Sequence, residues 1–201
     1  MTWRADGMRE RVEIWVPRIP FPEVETMTPA QLKVYRDVVD GPRGLMVGPL
    51  RAALHNAELA DKWQQFGQLL RYQTSLPPRH SELAILVTAR AWDCPFEWVQ
   101  HEPPARSSGL SDGIIEAIRL DRRPAFERRD DEIIYTYAKE LHDRHGISDA
   151  VYAEALSLIG TVGVVELTAL IGYYTLVAMT LNAHAFDLPA GSADPFREAA
   201  E

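Results

Sequence analysis

The sequence contains a single cysteine, Cys94, among its 201 residues. One cysteine cannot form an intramolecular disulfide, which argues against the disulfide-stapled class of secreted domains. The cysteine content therefore predicts a reducing compartment, the cytoplasm. Because 46% of the residues are hydrophobic, a chain of this length can bury a core of its own as one domain.

The sequence also lacks an excess of positive charge. Its 21 lysine and arginine residues are outnumbered by 29 acidic residues, which gives a net charge of −8. A charge of that sign disfavours a surface that follows nucleic-acid phosphates, and it equally disfavours an anionic membrane. We therefore expect neither nucleic acid nor a membrane as a partner.

The N-terminus has no continuous apolar run, so no signal peptide is predicted. One later stretch, Val162–Leu181, is about as long as a membrane span. It contains Glu166 and lacks basic flanking residues, and a charge within a membrane span is costly. We interpret this stretch as a helix buried within the protein.

Strand-like alternation of apolar and polar residues is absent outside the N-terminal segment. Helical spacing, first-turn prolines and serine or threonine caps recur instead, which predicts an all-α protein. We expect an extended, proline-spaced arm at 1–27, a helical domain at 28–188 and a C-terminal tail at 189–201. The predicted helices are 29–39, 49–56, 57–73, 79–93, one that begins at 94, 112–120, 130–146, 149–159 and 161–183.

The stretch ARAWDCPFEWVQHEPPAR, residues 89–106, contains a thiol, a carboxylate and an imidazole. On a helix, Cys94, Glu97 and His101 occupy positions i, i+3 and i+7, within about 60° of one another around the axis. On the preceding helix, Glu82 interrupts an apolar run. Its carboxylate is either solvated at the helix start or held in a pocket with a raised pKa.

The same residues also fit a purely structural interpretation. Glu82 would then be a first-turn acid favoured by the helix dipole, and Cys94 a small buried side chain. His101 would be an ordinary hydrogen-bonded polar residue. The residues alone leave both interpretations open.

Common motifs for metals and nucleotides are missing. His101–Glu102 begins the zinc motif H-E-x-x-H, but Ala105 stands at its last position and Pro103–Pro104 disfavours the helix that it needs. We therefore predict no metal site. GTVGVV at 160–165 lacks the third glycine of a dinucleotide loop and precedes a helix, and no G-x-S-x-G or Walker sequence occurs.

A larger pattern runs through residues 75–118. It comprises E-L-A-I-L at 82–86, a cysteine twelve residues after Glu82, a histidine seven residues later and A-R-x-x-G-L at 105–110. This pattern resembles the core of the carboxymuconolactone decarboxylase family, which is related to the alkyl hydroperoxidase D-like proteins. Flanking similarity at 48–63, 138–143 and 165–183 extends the resemblance to about three-quarters of the chain.

The resemblance implies an all-helical fold that assembles as a homotrimer or a hexamer of trimers. In the peroxidase branch, a C-x-x-C pair has an upstream glutamate and a downstream histidine that relay protons. Glu82, Cys94 and His101 match three of those four positions, but Glu97 stands where the second cysteine would be. Cys94 therefore cannot form the vicinal disulfide of a dithiol cycle, which favours the decarboxylase branch.

The resemblance also implies roles for these residues. His101 is the expected general acid, because imidazole ordinarily titrates near neutrality. Glu82 or Glu97 would orient it or relay its proton. Cys94 would be a weak hydrogen-bond donor or a packing residue.

Family members often have an arginine just before the glutamate, where this chain has Ser81. A basic group for a substrate carboxylate must then come from elsewhere, and we predict Arg79, His80 and Arg90 as substrate-binding residues. The unusual Pro103–Pro104 pair is expected to end the catalytic helix early.

The family reaction is the loss of CO2 from γ-carboxymuconolactone, a small lactone acid of aromatic catabolism, without a metal or an organic cofactor. We expect such a small molecule and further copies of the chain as the partners. One alternative is a single-cysteine thiol peroxidase, in which Cys94 forms a sulfenic acid that an outside thiol resolves. Another is a non-enzymatic helical oligomer that binds a small molecule or a partner.

Overall fold

The computed structural model of the protein describes residues 18–46 and 48–197, and within these ranges it contains helices and no strand. The predicted all-α class is confirmed. Residues 1–17 of the predicted arm and 198–201 of the predicted tail lie outside the described residues, so these domain bounds stay predictions. A 3-10 helix at Val24–Thr26 precedes α1 (Pro29–Val39), α2 (Pro49–Ala53), α3 (Ala57–Tyr72), α4 (Pro78–Ala91), α5 (Pro95–Ser107), α6 (Asp112–Arg119), α7 (Arg129–Arg144) and α8 (Asp149–Ala183).

Local capping explains where several helices begin. Thr28 and Gln31 form a reciprocal capping box at the start of α1, with Pro29 in the first turn. The Ser111 side chain accepts a hydrogen bond from the Ile114 amide at the start of α6. These side chains satisfy amide groups that would otherwise have no partner within the helix.

Helix α4 lies at the centre of the fold, where it packs against α5, α7 and α8. Leu83, Ala84 and Leu86 on this helix are fully buried. The apolar run is therefore surrounded on several sides, and this close packing fixes α4 relative to α5. This geometry places Glu82 opposite the interior face of α5.

Helix α5 continues through Pro103–Pro104 to Ser107, so the expectation of an early end is wrong. The prolines remove two amide donors from the helix, but a hydrogen-bonded bridge spans them. Glu102 accepts from Trp98 Nε1 at 2.9 Å and from the Arg106 guanidinium at 2.8 Å. These contacts link the turns before and after the prolines and help to keep the helix intact.

Helix α8 is interrupted at Gly160, whose φ of 67° and ψ of 177° are not helical. This glycine divides α8 into the two predicted segments, 149–159 and 161–183, because only glycine adopts such angles without strain. The Glu166 carboxylate accepts from both the amide and the hydroxyl of Ser75. The hydroxyl of Thr168 lies 2.8 Å from that of Tyr137 on α7.

By length and composition, α8 is the one helix of the described residues that could cross a membrane, and 33% of its most apolar stretch is buried. The burial predicted for Val162–Leu181 therefore applies to only one face in the single chain. On the other face, Val162 and Val165 are each 64% exposed. Extended apolar exposure of this kind marks an interface.

We expect the chain to form a homo-oligomer, a trimer or a hexamer, that covers this face. Light scattering should return a multiple of the 22.7 kDa chain mass at micromolar concentration. Leu176→Glu places a charge on the exposed face of α8 and should lower the measured mass. The matched change Val24→Glu, on the 3-10 helix, should not. A wild-type mass of about one chain would contradict the prediction.

Candidate active site

Glu82, in the second turn of α4, and His101, in the middle of α5, form a hydrogen-bonded pair. The Nδ1 atom of His101 lies 2.8 Å from Oε2 of Glu82. Since an ionised carboxylate only accepts hydrogen bonds, Nδ1 carries the proton and Nε2 is the ring nitrogen left for chemistry. His101 is 4% exposed, and its ring meets the ring of Tyr174 edge-on at 4.9 Å.

Glu97 lies one turn before His101 on α5 and is only 2% exposed. Its Oε2 atom is buried without a hydrogen-bond partner among the described residues. Burial raises the pKa of Glu97 well above its ordinary value of 4.5, the charge of Arg71 opposes that rise, and the charge of Glu82 adds to it. The raised pKa favours the protonated form of this carboxyl group, which can donate a proton.

Cys94 occupies the N-cap position of α5 and is fully buried. It does not line the cavity described below. Burial raises the pKa of the Cys94 thiol to about 12. The side chain is therefore a thiol rather than a thiolate at neutral pH, unlike the low-pKa cysteines of thiol enzymes.

Glu97 and His101 both line a cavity of about 80 Å³ enclosed by α2, α3, α5 and α8. Arg43 and Arg71 contribute the positive charges of the cavity wall. The remaining polar side chains are Gln100, Tyr173 and Tyr174, and the apolar ones include Leu50, Val177 and Leu181. The cavity therefore combines two acid–base groups with two guanidinium groups.

The two tyrosines of α8 close one side of the cavity. Burial raises the pKa of Tyr174 well above its ordinary value and also raises that of Tyr173, so both hydroxyls stay protonated. The Tyr173 hydroxyl lies 3.5 Å from the Arg43 guanidinium. Gly67 on α3 makes room for this pair, because a side chain there would collide with both groups.

The predicted substrate-binding residues Arg79, His80 and Arg90 lie away from this cavity. Arg79 pairs with the buried Asp131 and donates to the carbonyl of Gly109. His80 Nε2 lies 3.2 Å from Asp130. Their role in substrate binding remains a prediction, but in the structure these two side chains tie α4 to α7.

Arg90 pairs with Asp93 and lies over the ring of Phe196, with its guanidinium carbon 4.9 Å from the ring centroid. Those contacts hold the C-terminal segment against the end of α4. The predicted contact of Arg90 with a substrate therefore also remains a prediction.

One group of potential metal ligands occurs among the described residues, formed by His80, Asp130 and Asp131. Arg79 and Arg128 already pair with its carboxylates. The Arg128 guanidinium, followed by the hydrogen bond from His80, lowers the pKa of Asp130. The two guanidinium groups balance the negative charges of the two carboxylates. The group therefore fits an ion-pair network rather than a cation site.

Residues 57–127, which include Glu82, Cys94, Glu97 and His101, match the model of the carboxymuconolactone decarboxylase family. The fold is shared with two solved structures. An uncharacterized peroxidase-related protein from Silicibacter sp. TM1040 superposes with a TM-score of 0.71 at 17% identity, covering 95% of this chain and 100% of that chain. The alkylhydroperoxidase AhpD core of an uncharacterized peroxidase-related protein from Ralstonia eutropha JMP134 superposes with a TM-score of 0.69 at 16% identity. The match covers 90% of this chain and 94% of that chain.

The sequence of residues 57–127 is therefore similar to the carboxymuconolactone decarboxylase family, and the two peroxidase-related structures show the same fold. No curated protein matches the sequence of the chain. Only part of the cavity comes from the region that matches the carboxymuconolactone decarboxylase family. Arg43, Tyr173 and Tyr174 lie outside residues 57–127 and complete the wall.

No motif in the sequence assigns a role to Arg43, Arg71, Tyr173 or Tyr174. The paired tyrosines in an otherwise apolar helix are a usable signal, because buried tyrosines need polar partners. Arg43 stands in a G-P-R-G turn and Arg71 near the end of α3, where basic residues are common. Nothing local in the sequence distinguishes these two arginines from Arg79 and Arg90.

Proposed function

We propose that the protein is a cofactor-independent enzyme that decarboxylates a small carboxylic acid or lactone acid, or performs related proton transfer on it. One observation carries the proposal: Glu97 and the Glu82-bonded His101 line the same small cavity as two guanidinium groups. Guanidinium groups bind carboxylates well, and adjacent acid–base groups can move the proton that decarboxylation requires.

The reaction breaks the bond between the substrate carbon and its carboxylate and releases CO2. The electron pair of that bond passes into the conjugated carbonyl of the substrate, which develops negative charge on oxygen. The hydroxyls of Tyr173 and Tyr174 remain protonated and can donate hydrogen bonds to such an oxygen. Arg43 and Arg71 supply the positive charge that balances an anionic substrate.

A proton must then reach the substrate carbon. His101 Nε2 is one donor when the ring is protonated, and Glu82 holds the ring in position through Nδ1. Glu97, whose raised pKa favours its protonated form, is the second donor or the group that reprotonates His101. His101 and Glu97 therefore have different roles in the same proton transfer.

A single-cysteine peroxidase is the second candidate function, because both structural neighbours are described as peroxidase-related. The position of Cys94 weighs against it. Peroxide must reach a thiolate, and this thiol is fully buried with its pKa raised. A decarboxylase has no such requirement of Cys94.

Parallel assays distinguish the candidates. CO2 release is measured with lactone acids such as γ-carboxymuconolactone, and peroxide consumption is measured with outside thiol donors. CO2 release alone supports the proposal, and peroxide consumption alone would replace it with the second candidate. Failure of both would favour the non-enzymatic oligomer. Cytoplasmic localisation and self-assembly remain part of the proposal.

Cys94→Ser is expected to leave most CO2 release intact, because Cys94 does not line the cavity. The buried hydroxyl should cost about 1–3 kcal/mol of unfolding free energy if it finds no partner. Turnover and urea unfolding of the variant measure the two effects. Loss of peroxide consumption, with CO2 release absent in the wild type, would instead assign Cys94 to thiol chemistry.

A further inference from the structure

The cavity at Glu97 and His101 is too small to hold a whole ring-sized substrate. Its volume is about 80 Å³. An apolar protein cavity that takes up benzene measures about 150 Å³. A carboxylate and the atoms next to it fit in the smaller space, but the rest of a larger molecule must lie outside it.

A second cavity of about 420 Å³ adjoins the first. Gly48, Phe96 and Gln100 line both cavities, so these residues form the junction between them. Gly48 has a φ of 58°, and a Cβ at this position would lie 3.6 Å from the Phe96 ring. A glycine is therefore favoured here by the backbone angle, and its missing side chain leaves space beside Phe96.

Aromatic side chains dominate this outer cavity. The Phe186 ring lies 5.2 Å from Phe21 and 6.1 Å from Phe96, measured between centroids. Arg51 places its guanidinium carbon 3.8 Å from the centroid of Phe21. Together with the exposed Leu45, these groups form a largely apolar wall that also carries two charged side chains of opposite sign, Arg51 and Asp187.

The two ends of the described chain build this wall together. Phe21 follows the segment in which the Arg18 amide donates to the His184 carbonyl at 3.0 Å. His55 Nε2 lies 2.7 Å from the Pro20 carbonyl oxygen and ties the same segment to the residues after α2. The outer cavity is therefore held by defined contacts at both sides.

We propose that the outer cavity binds the apolar body of the substrate while its carboxylate enters the inner cavity beside Arg43 and Arg71. This inference rests on the proposed function, and it names the substrate class as an elongated carboxylic acid that has a conjugated carbonyl near its carboxylate and an aliphatic or aromatic body. Phe186 and Phe96 then determine how long a body the enzyme accepts.

Isothermal calorimetry on the full chain with butanoate, hexanoate, octanoate and decanoate tests the inference. Each methylene that the outer cavity buries should strengthen binding about fourfold. Phe186→Ala should reduce that dependence on chain length and leave butanoate binding unchanged. Phe126→Ala, which changes a partly buried phenylalanine outside both cavities, should keep the wild-type dependence.

The contribution of the carboxylate to binding is tested with 1-octanol, which has the same chain length as octanoate but no charge. Binding that does not depend on chain length, or a dependence unaltered by Phe186→Ala, would overturn the outer-cavity inference. Equal binding of octanol and octanoate would leave that inference in place and count against the proposed carboxylate chemistry. Absence of binding by every acid would overturn both.

Discussion

His101→Asn is expected to lower the turnover number for CO2 release by about 100-fold or more, the usual scale for a lost general acid. Asparagine has a similar polar shape but cannot titrate. Its side chain can still donate to Glu82, so the partly buried carboxylate is not left unpaired. The change should therefore affect catalysis far more than the free energy of unfolding.

The matched control is His142→Asn, on α7. His142 is partly buried and lies 3.0 Å from the Thr88 hydroxyl, and it does not line the cavity at Glu97. This control should retain wild-type turnover. Glu82→Gln should fall between the two variants, because glutamine still accepts from Nδ1 but supplies no charge. Undiminished turnover in His101→Asn would contradict the assigned role.

Glu97→Gln is expected both to lower turnover by about 100-fold and to increase stability above neutral pH. Glutamine cannot donate a proton to the substrate or to His101, so catalysis should fall by the amount typical of a lost acid. The stability effect follows from the pKa of Glu97, which burial raises well above 4.5 in the folded chain. The folded state therefore holds its proton over a pH range in which the unfolded chain has already lost it.

The direction in which stability changes with pH determines which pH values must be compared. The stabilisation associated with protonated Glu97 is complete below pH 4.5 and is lost as the pH rises toward the pKa of the folded protein. Each pH unit within that window lowers the free energy of unfolding by about 1.4 kcal/mol. Glutamine does not ionise, so the variant should lose less stability than the wild type between pH 4.5 and pH 8.

Urea unfolding at pH 4.5, 6 and 8 measures this difference. Glu102→Gln on the same helix is the control, because Glu102 is not on the cavity wall and its amide replacement can still accept from Trp98. The control should follow the pH dependence of the wild type. Identical pH dependence in the wild type and in Glu97→Gln would contradict a protonated, buried Glu97.

Much of the helical architecture could be predicted from the sequence because its signals are local. Thr28 and Pro29 define the start of α1, Pro95 that of α5, and Gly160 the division of α8. Caps, first-turn prolines and glycine angles act within a few residues, so they can be recognised without knowledge of the fold. Pro103–Pro104 misled the prediction because a hydrogen-bonded bridge from Trp98 to Arg106 offsets their local cost.

Only the tertiary structure determines which residues line the cavity. Cys94 and Glu97 are three residues apart, yet only Glu97 lines the cavity, while Arg43 reaches it from 54 positions earlier in the chain. The packing angles of α3, α5 and α8 determine which side chains meet, and those angles depend on contacts between residues far apart in sequence. The sequence by itself determined the helices and the candidate acid–base residues, whereas long-range packing decided which cations and hydroxyls surround them.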